Sequence, residues 1–92
     1  MQNKPDMDAA VSDTAPDAEQ LTHYDEIHLI HYVRLLDAEK ADADWRDVVR
    51  IVLKRDTATD PDRARRCYDS HLARARWMTT SGYRHLLDGG PH

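Results

Sequence analysis

No glycine occurs before Gly82 in this 92-residue chain, and that absence removes most β architectures at once. Hairpin turns, bulges and phosphate-cradling loops all depend on glycine's access to left-handed backbone. Phenylalanine is also missing, while Ala, Leu, Arg and Asp dominate, residues that suit helices and their caps. The sequence therefore predicts an all-α fold, a small three-to-four-helix bundle with a helix-turn-helix-like arrangement.

The first 20 residues set one lysine against five acids (Asp6, Asp8, Asp13, Asp17 and Glu19) and contain Pro5 and Pro16. So few apolar side chains cannot offset the entropy of ordering, and residues 1–20 are expected to be a disordered acidic tail. Residues 21–88 are expected to form the helical domain, and residues 89–92 to fray. No apolar run approaches the roughly 20 residues of a spanning helix. The N-terminus has no apolar signal core, and Cys67 alone cannot form an internal disulfide. A soluble, cytoplasmic protein with no membrane partner is the expectation. The net charge of −4 comes entirely from the tail, because residues 21–92 carry twelve charges of each sign. Residues 21–47 hold three bases and seven acids, residues 48–92 nine bases and five acids. Such polarity steers charged partners and weakens with salt.

Three helices follow from local signals. Thr22 and Asp25 have the spacing of a capping box, which predicts a first helix over residues 24–39. On it Leu29, Tyr32, Val33 and Leu36 form one apolar stripe directed at the core, with Ile27, Ile30 and Leu35 off that stripe. Residues 37–44 form the connection, and Asp44 caps a second helix on which Trp45, Val48, Val49, Val52 and Leu53 repeat at helical spacing. After a turn over residues 56–60, Asp60 and Pro61 read as cap and first helical residue of a third helix. Its apolar positions are Ala64, Cys67, Tyr68, His71, Leu72, Ala75 and Met78. The helix is expected to end near residues 79–81, with Gly82 as a left-handed stop and Tyr83, Leu86 and Leu87 folding back as a clasp.

Chemistry-bearing residues are sparse. Asp25, His28 and His31 are splayed around a helix, and no Cys-x-x-Cys or paired-histidine spacing supports a metal site. His71 and Cys67 fit as core residues, His71 hydrogen-bonded and sensitive to pH. No nucleophile with its base surrounds Ser12, Ser70 or Ser81, so the chain reads as a non-enzyme without cofactor or small-molecule ligand. The arginine face of the third helix is more informative. Arg63, Arg66 and Arg74, joined by Trp77, suit either phosphate and base contact or a protein interface. Ile27, Ile30 and Arg34 on the first helix offer a second protein-binding face.

Leu36-Asp37-Ala38, Ala43-Asp44-Trp45, the arginine-rich helix and the closing Gly82-Tyr83-Arg84-His85-Leu86-Leu87 give the chain a family likeness. Over about residues 27–87 it resembles a proteobacterial helix-turn-helix-variant family containing activators and antiactivators of integrative and conjugative element transfer. The resemblance implies that activator copies of the domain contact promoter DNA, whereas free-standing short forms bind the activator and stop it. On that basis the expected function is antiactivation. The partner is a transcriptional activator carrying a related domain, held through Ile27, Ile30, Arg34, Arg63, Arg66, Arg74 and Trp77, and the genes blocked are those for excision and conjugative transfer. The neutral folded part and the acidic tail favour this reading, and residues 54–61 make a longer connection than an ordinary helix-turn-helix turn. The alternative is a DNA-binding regulator using Arg63, Arg66 and Arg74. Deleting residues 1–20 is expected to tighten DNA binding by such a regulator.

Overall fold

The polar residues expected to start helices do so in the computed structural model, which describes residues 9–82, with side chains through residue 80. The Thr22 side chain accepts from the Asp25 amide while the Asp25 carboxylate accepts from the Thr22 amide, a complete capping box. It opens α1, His23–Ile27. Helix α2, Leu29–Lys40, follows after a break at His28. Asp44 caps α3, Trp45–Ile51, by accepting from the Arg46 amide. Asp60 caps α4, Pro61–Trp77, by accepting from the Arg63 amide, with Pro61 in the first turn where its missing donor costs nothing. The described residues are all-helical, a small bundle in which α2 and α3 pack on α4.

The expected single first helix is thus two. His28 lies at φ −98°, ψ 18°, in the sparsely populated bridge region, and its buried ring meets those of Tyr24 and His31. The face that α2 presents to the core also differs from the expectation. Leu35 is 0% exposed and Tyr32 1%, whereas Leu29 is 39% and Val33 51%. The buried side runs through His28, His31, Tyr32 and Leu35, because the tyrosine and histidines find hydrogen-bond partners inside that leave the aliphatic stripe at the margin. On α3 the expected residues Val48 and Val49 are buried, with Val52 and Leu53 just beyond its end, against Ala64, Cys67, Tyr68, Leu72 and Ala75 of α4.

Without glycine, two helix ends use other residues in left-handed backbone. Asp42 (φ 57°) ends α2, with the Asp42 amide donating to the Glu39 carbonyl and the Ala43 amide to the Ala38 carbonyl, a Schellman arrangement. Lys54 (φ 55°) does the same after α3, where the Arg55 amide reaches the Val49 carbonyl. At the other end of α4 the backbone widens into a π turn, Met78–Gly82, over the residues where the helix was expected to end. The hydroxyls of Thr79 and Thr80 donate to the Arg76 carbonyl there, competing with the amides that would continue α4. The clasp of Tyr83, Leu86 and Leu87 lies outside the described residues.

Residues 9–20 form no helix, and they lie against the domain. Val11 is buried in the core cluster, and the segment is tied to α1 and α4 at several points. The Ser12 amide donates to the Tyr24 hydroxyl, the Cys67 thiol to the Ser12 carbonyl and the Ala15 amide to Ser70 Oγ. Side chains of the folded domain thus satisfy the backbone of a segment that has little apolar area of its own.

Candidate nucleic-acid interface

Helix α4 carries its arginines at positions decided by what covers each turn. Arg63 and Arg66 are three residues apart, hence neighbours on the helix surface, and both are exposed. Arg63 Nε donates to Asp13 Oδ1 at 2.9 Å, and Arg55, on the connection before α4, donates to the same oxygen through Nη1 at 2.8 Å. Arg55 Nη2 also reaches the Val11 carbonyl at 2.6 Å. Hydrogen bonds from Arg63 and then Arg55 hold the Asp13 carboxyl below the usual carboxylate range, and Asp13 in turn raises Arg63. Arg66 has no ion-pair partner among the described residues. Arg65 pairs with Asp69 and stacks over Trp45, and Arg76 pairs with Glu39.

Arg74 does not belong to that open face. It was expected beside Arg63 and Arg66, but its side chain is 3% exposed and bound to Asp25, itself 0% exposed. Arg74 Nε donates to Asp25 Oδ1 at 3.0 Å and Nη2 to Oδ2 at 2.6 Å. Nη1 and Nη2 donate in addition to the carbonyls of Ala18 and Gln20. Tyr32 supplies a further hydrogen bond to Asp25 at 2.8 Å. Burial alone would raise Asp25, but the hydrogen bonds from Arg74, the Thr22 amide and Tyr32 outweigh it and hold the carboxyl below its ordinary value. Trp77 is half-buried with the Arg74 guanidinium 3.9 Å from its ring centroid. It flanks a hollow shared with Pro16 and Ala18 of the N-terminal segment. Arg74 and Trp77 therefore anchor that segment and present no free guanidinium to a partner.

Of the other expected face, Ile27 and Ile30 are half-buried and Arg34 is exposed. They lie on α1 and α2, so no single surface element joins them to Arg63 and Arg66. The exposed Leu29 and Val33, with Leu36 at the edge of the core, line an open apolar groove with Tyr32, Ala75, Met78 and Thr79.

The buried histidines belong to the scaffold. The His71 Nδ1–H donates to the Cys67 carbonyl at 2.7 Å, which leaves Nε2 to accept from the Tyr24 hydroxyl at 2.6 Å. Burial lowers His71 to about 4, against the hydrogen bond to Cys67, which raises it. Burial likewise pushes the Cys67 thiol up. Among the described residues no three His, Cys, Asp or Glu side chains are grouped as a metal ion requires, and no helix is long and apolar enough to cross a membrane.

Two residues of the open face were not found from sequence. Arg55 sits past the end of α3, outside any helical pattern, and Asp13 lies in a segment without periodicity, so neither carried a signal beyond its charge. The described residues thus form a small all-helical bundle with exposed arginines on α4. The family model of the T6SS transcription factor DNA-binding domain (RovC_DNA-bd) matches residues 5–88, and the chain belongs to that family. Membership points to a transcription regulator rather than an enzyme. No curated protein matches the chain.

Proposed function

We propose that this chain is a DNA-binding domain of a transcription regulator that holds duplex DNA through Arg63 and Arg66 of α4, aided by Arg55. The observation that carries the reading is Arg66, exposed beside Arg63 and without an ion-pair partner among the described residues, in a chain of a DNA-binding-domain family. Guanidinium groups offer forked donors that match phosphate oxygens and base edges. The nine residues between α3 and α4 exceed the short turn of ordinary helix-turn-helix units. The reading therefore commits to phosphate contact by the α4 face and not to a particular docking in the major groove.

Fluorescence anisotropy on a labelled duplex across a salt series tests it. Affinity falls as salt rises, with a log–log slope of about −0.9 per phosphate neutralised. Arg66→Ala weakens binding alike on all sequences and reduces that slope by about 1. A correctly folded wild-type protein that binds no duplex even at low salt refutes the reading.

The apolar groove favours a second reading, antiactivation by protein contact. There the chain binds a transcriptional activator carrying a related domain and blocks genes for excision and conjugative transfer. Exposed aliphatic residues at Leu29 and Val33 suit a protein partner and have no use on a phosphate backbone. A pull-down from nuclease-treated lysate that recovers such an activator, and loses it on Val33→Ser, supports this reading. Recovery unaffected by Val33→Ser counts against the groove.

A further inference from the structure

The molecule contains two arginine–carboxylate clusters of opposite character. The Asp25–Arg74 pair is sealed, with side-chain exposures of 0% and 3%, and no ligand can exchange with it. At the Asp13–Arg63 pair the exposures are 49% and 52%, and Arg55 joins the same carboxylate at 24%. Solvent reaches this second cluster, so an anion arriving from outside can compete for the guanidiniums. Arg55 and Arg63 line a hollow together with Lys54, Thr59, Asp56 and Asp60.

We infer that Arg55 and Arg63 form a binding site for a backbone phosphate of DNA, and that Asp13 occupies it as an internal competitor. This inference rests on the DNA-binding reading above. A carboxylate and a phosphate present the same kind of acceptor oxygen to a guanidinium, and two arginines converge on a single oxygen of Asp13. The carboxylate is delivered there by anchors that do not depend on its charge. Val11 is seated in the core, and the Ser12 amide and carbonyl are held by Tyr24 and Cys67. Tethering gives Asp13 a high effective concentration at the two arginines. DNA must displace it, so the free protein holds its open arginine face partly neutralised, with Arg66 left for the first encounter.

The test measures duplex affinity by fluorescence anisotropy across a series from low to moderate salt for wild type, Asp13→Asn and Asp13→Glu, with helicity of each checked by circular dichroism. Asp13→Asn binds roughly fivefold tighter and shows a steeper salt dependence, whereas Asp13→Glu, which keeps the charge, stays close to wild type. In an Arg63→Ala background the gain from Asp13→Asn shrinks, because the unmasked partner is gone. Equal, salt-dependent affinities for wild type and Asp13→Asn overturn the inference and leave the DNA-binding reading intact. Tightening by Asp13→Glu equal to that by Asp13→Asn also overturns it, because charge is then not the cause. Absence of duplex binding by wild type and variants alike at low salt overturns the DNA-binding reading and this inference with it.

Discussion

Replacing Arg74 with Met removes more than a charge, and the structure allows the loss to be sized. The guanidinium makes two hydrogen bonds to Asp25, one each to the carbonyls of Ala18 and Gln20, and stacks on Trp77. Methionine fills much of the volume but leaves the fully buried Asp25 carboxylate with only Thr22 and Tyr32 as partners. Breaking a buried ion pair from one side costs about 3–5 kcal/mol. A core of this size supplies only about 3–5 kcal/mol in total, so Arg74→Met places the domain at the edge of unfolding at neutral pH. Urea titration followed by far-UV circular dichroism measures this, as a midpoint that collapses toward zero denaturant. The double variant Asp25→Leu, Arg74→Met removes the orphaned charge and recovers part of the loss, though not all, since the two carbonyls stay unpaired. Arg74→Met that unfolds within about 1 kcal/mol of wild type would show that the pair is not the structural clamp described.

Two further predictions rest on burial. His71 falls to about 4 in the folded state from an ordinary 6.5, so between these values the unfolded chain binds more protons and stability falls as pH is lowered. Two and a half units correspond to about 3 kcal/mol at most. Urea midpoints at pH 7 and pH 4.5 test the sign, and a midpoint unchanged or higher at the acid end contradicts the buried neutral ring. On α2, Leu35→Ala costs about 2–5 kcal/mol, whereas Val33→Ala costs well under 1 because half of Val33 faces solvent. Thermal melts of the two variants discriminate the observed core face from the aliphatic stripe, and equal losses refute the observed one.

Helix starts were legible because capping is local. Thr22 with Asp25, Asp44, and Asp60 with Pro61 each act within three residues of themselves, a distance at which sequence spacing is geometry. The inward face of α3 was legible for a related reason, since its apolar residues admit only one stripe. Helix α2 offered two, and the choice between them was made by polar groups. The Tyr32 hydroxyl reaches Asp25, and His28 meets His31 inside the bundle. The candidate site was only partly legible. Arg63 and Arg74 are eleven residues apart and differ by only roughly 20° around the helix, so periodicity places them on one face. What separates them is the cover at each end, open around Arg63 and closed over Arg74 by α1 and residues 18–20. The contacts of residues 9–20 were not legible, because composition counts a segment's own apolar area and not the donors and acceptors that other elements supply. Arg55, Ser70 and Arg74 lie 44 to 56 residues from the backbone groups they bind.

That cover changes what deletion of the first 20 residues does. From charge alone, removing five acids should expose the arginine face and tighten DNA binding. The same deletion, however, removes Val11 from the core, worth about 1.5–3 kcal/mol, and leaves Arg74 without the carbonyls of Ala18 and Gln20. Hydrogen bonds to a charged donor contribute about 1.5–3 kcal/mol each, so the summed loss rivals the stability expected of the whole domain. The truncated chain is therefore expected to lose much of its helical signal at room temperature and to bind DNA more weakly than the full chain. Asp13→Asn, which keeps Val11 and both carbonyls in place, has the opposite effect on binding. A truncated chain that melts within a few degrees of the full protein would mean that residues 9–20 lie against the domain without supporting it. The masking charge could then be removed by truncation as cleanly as by a point substitution.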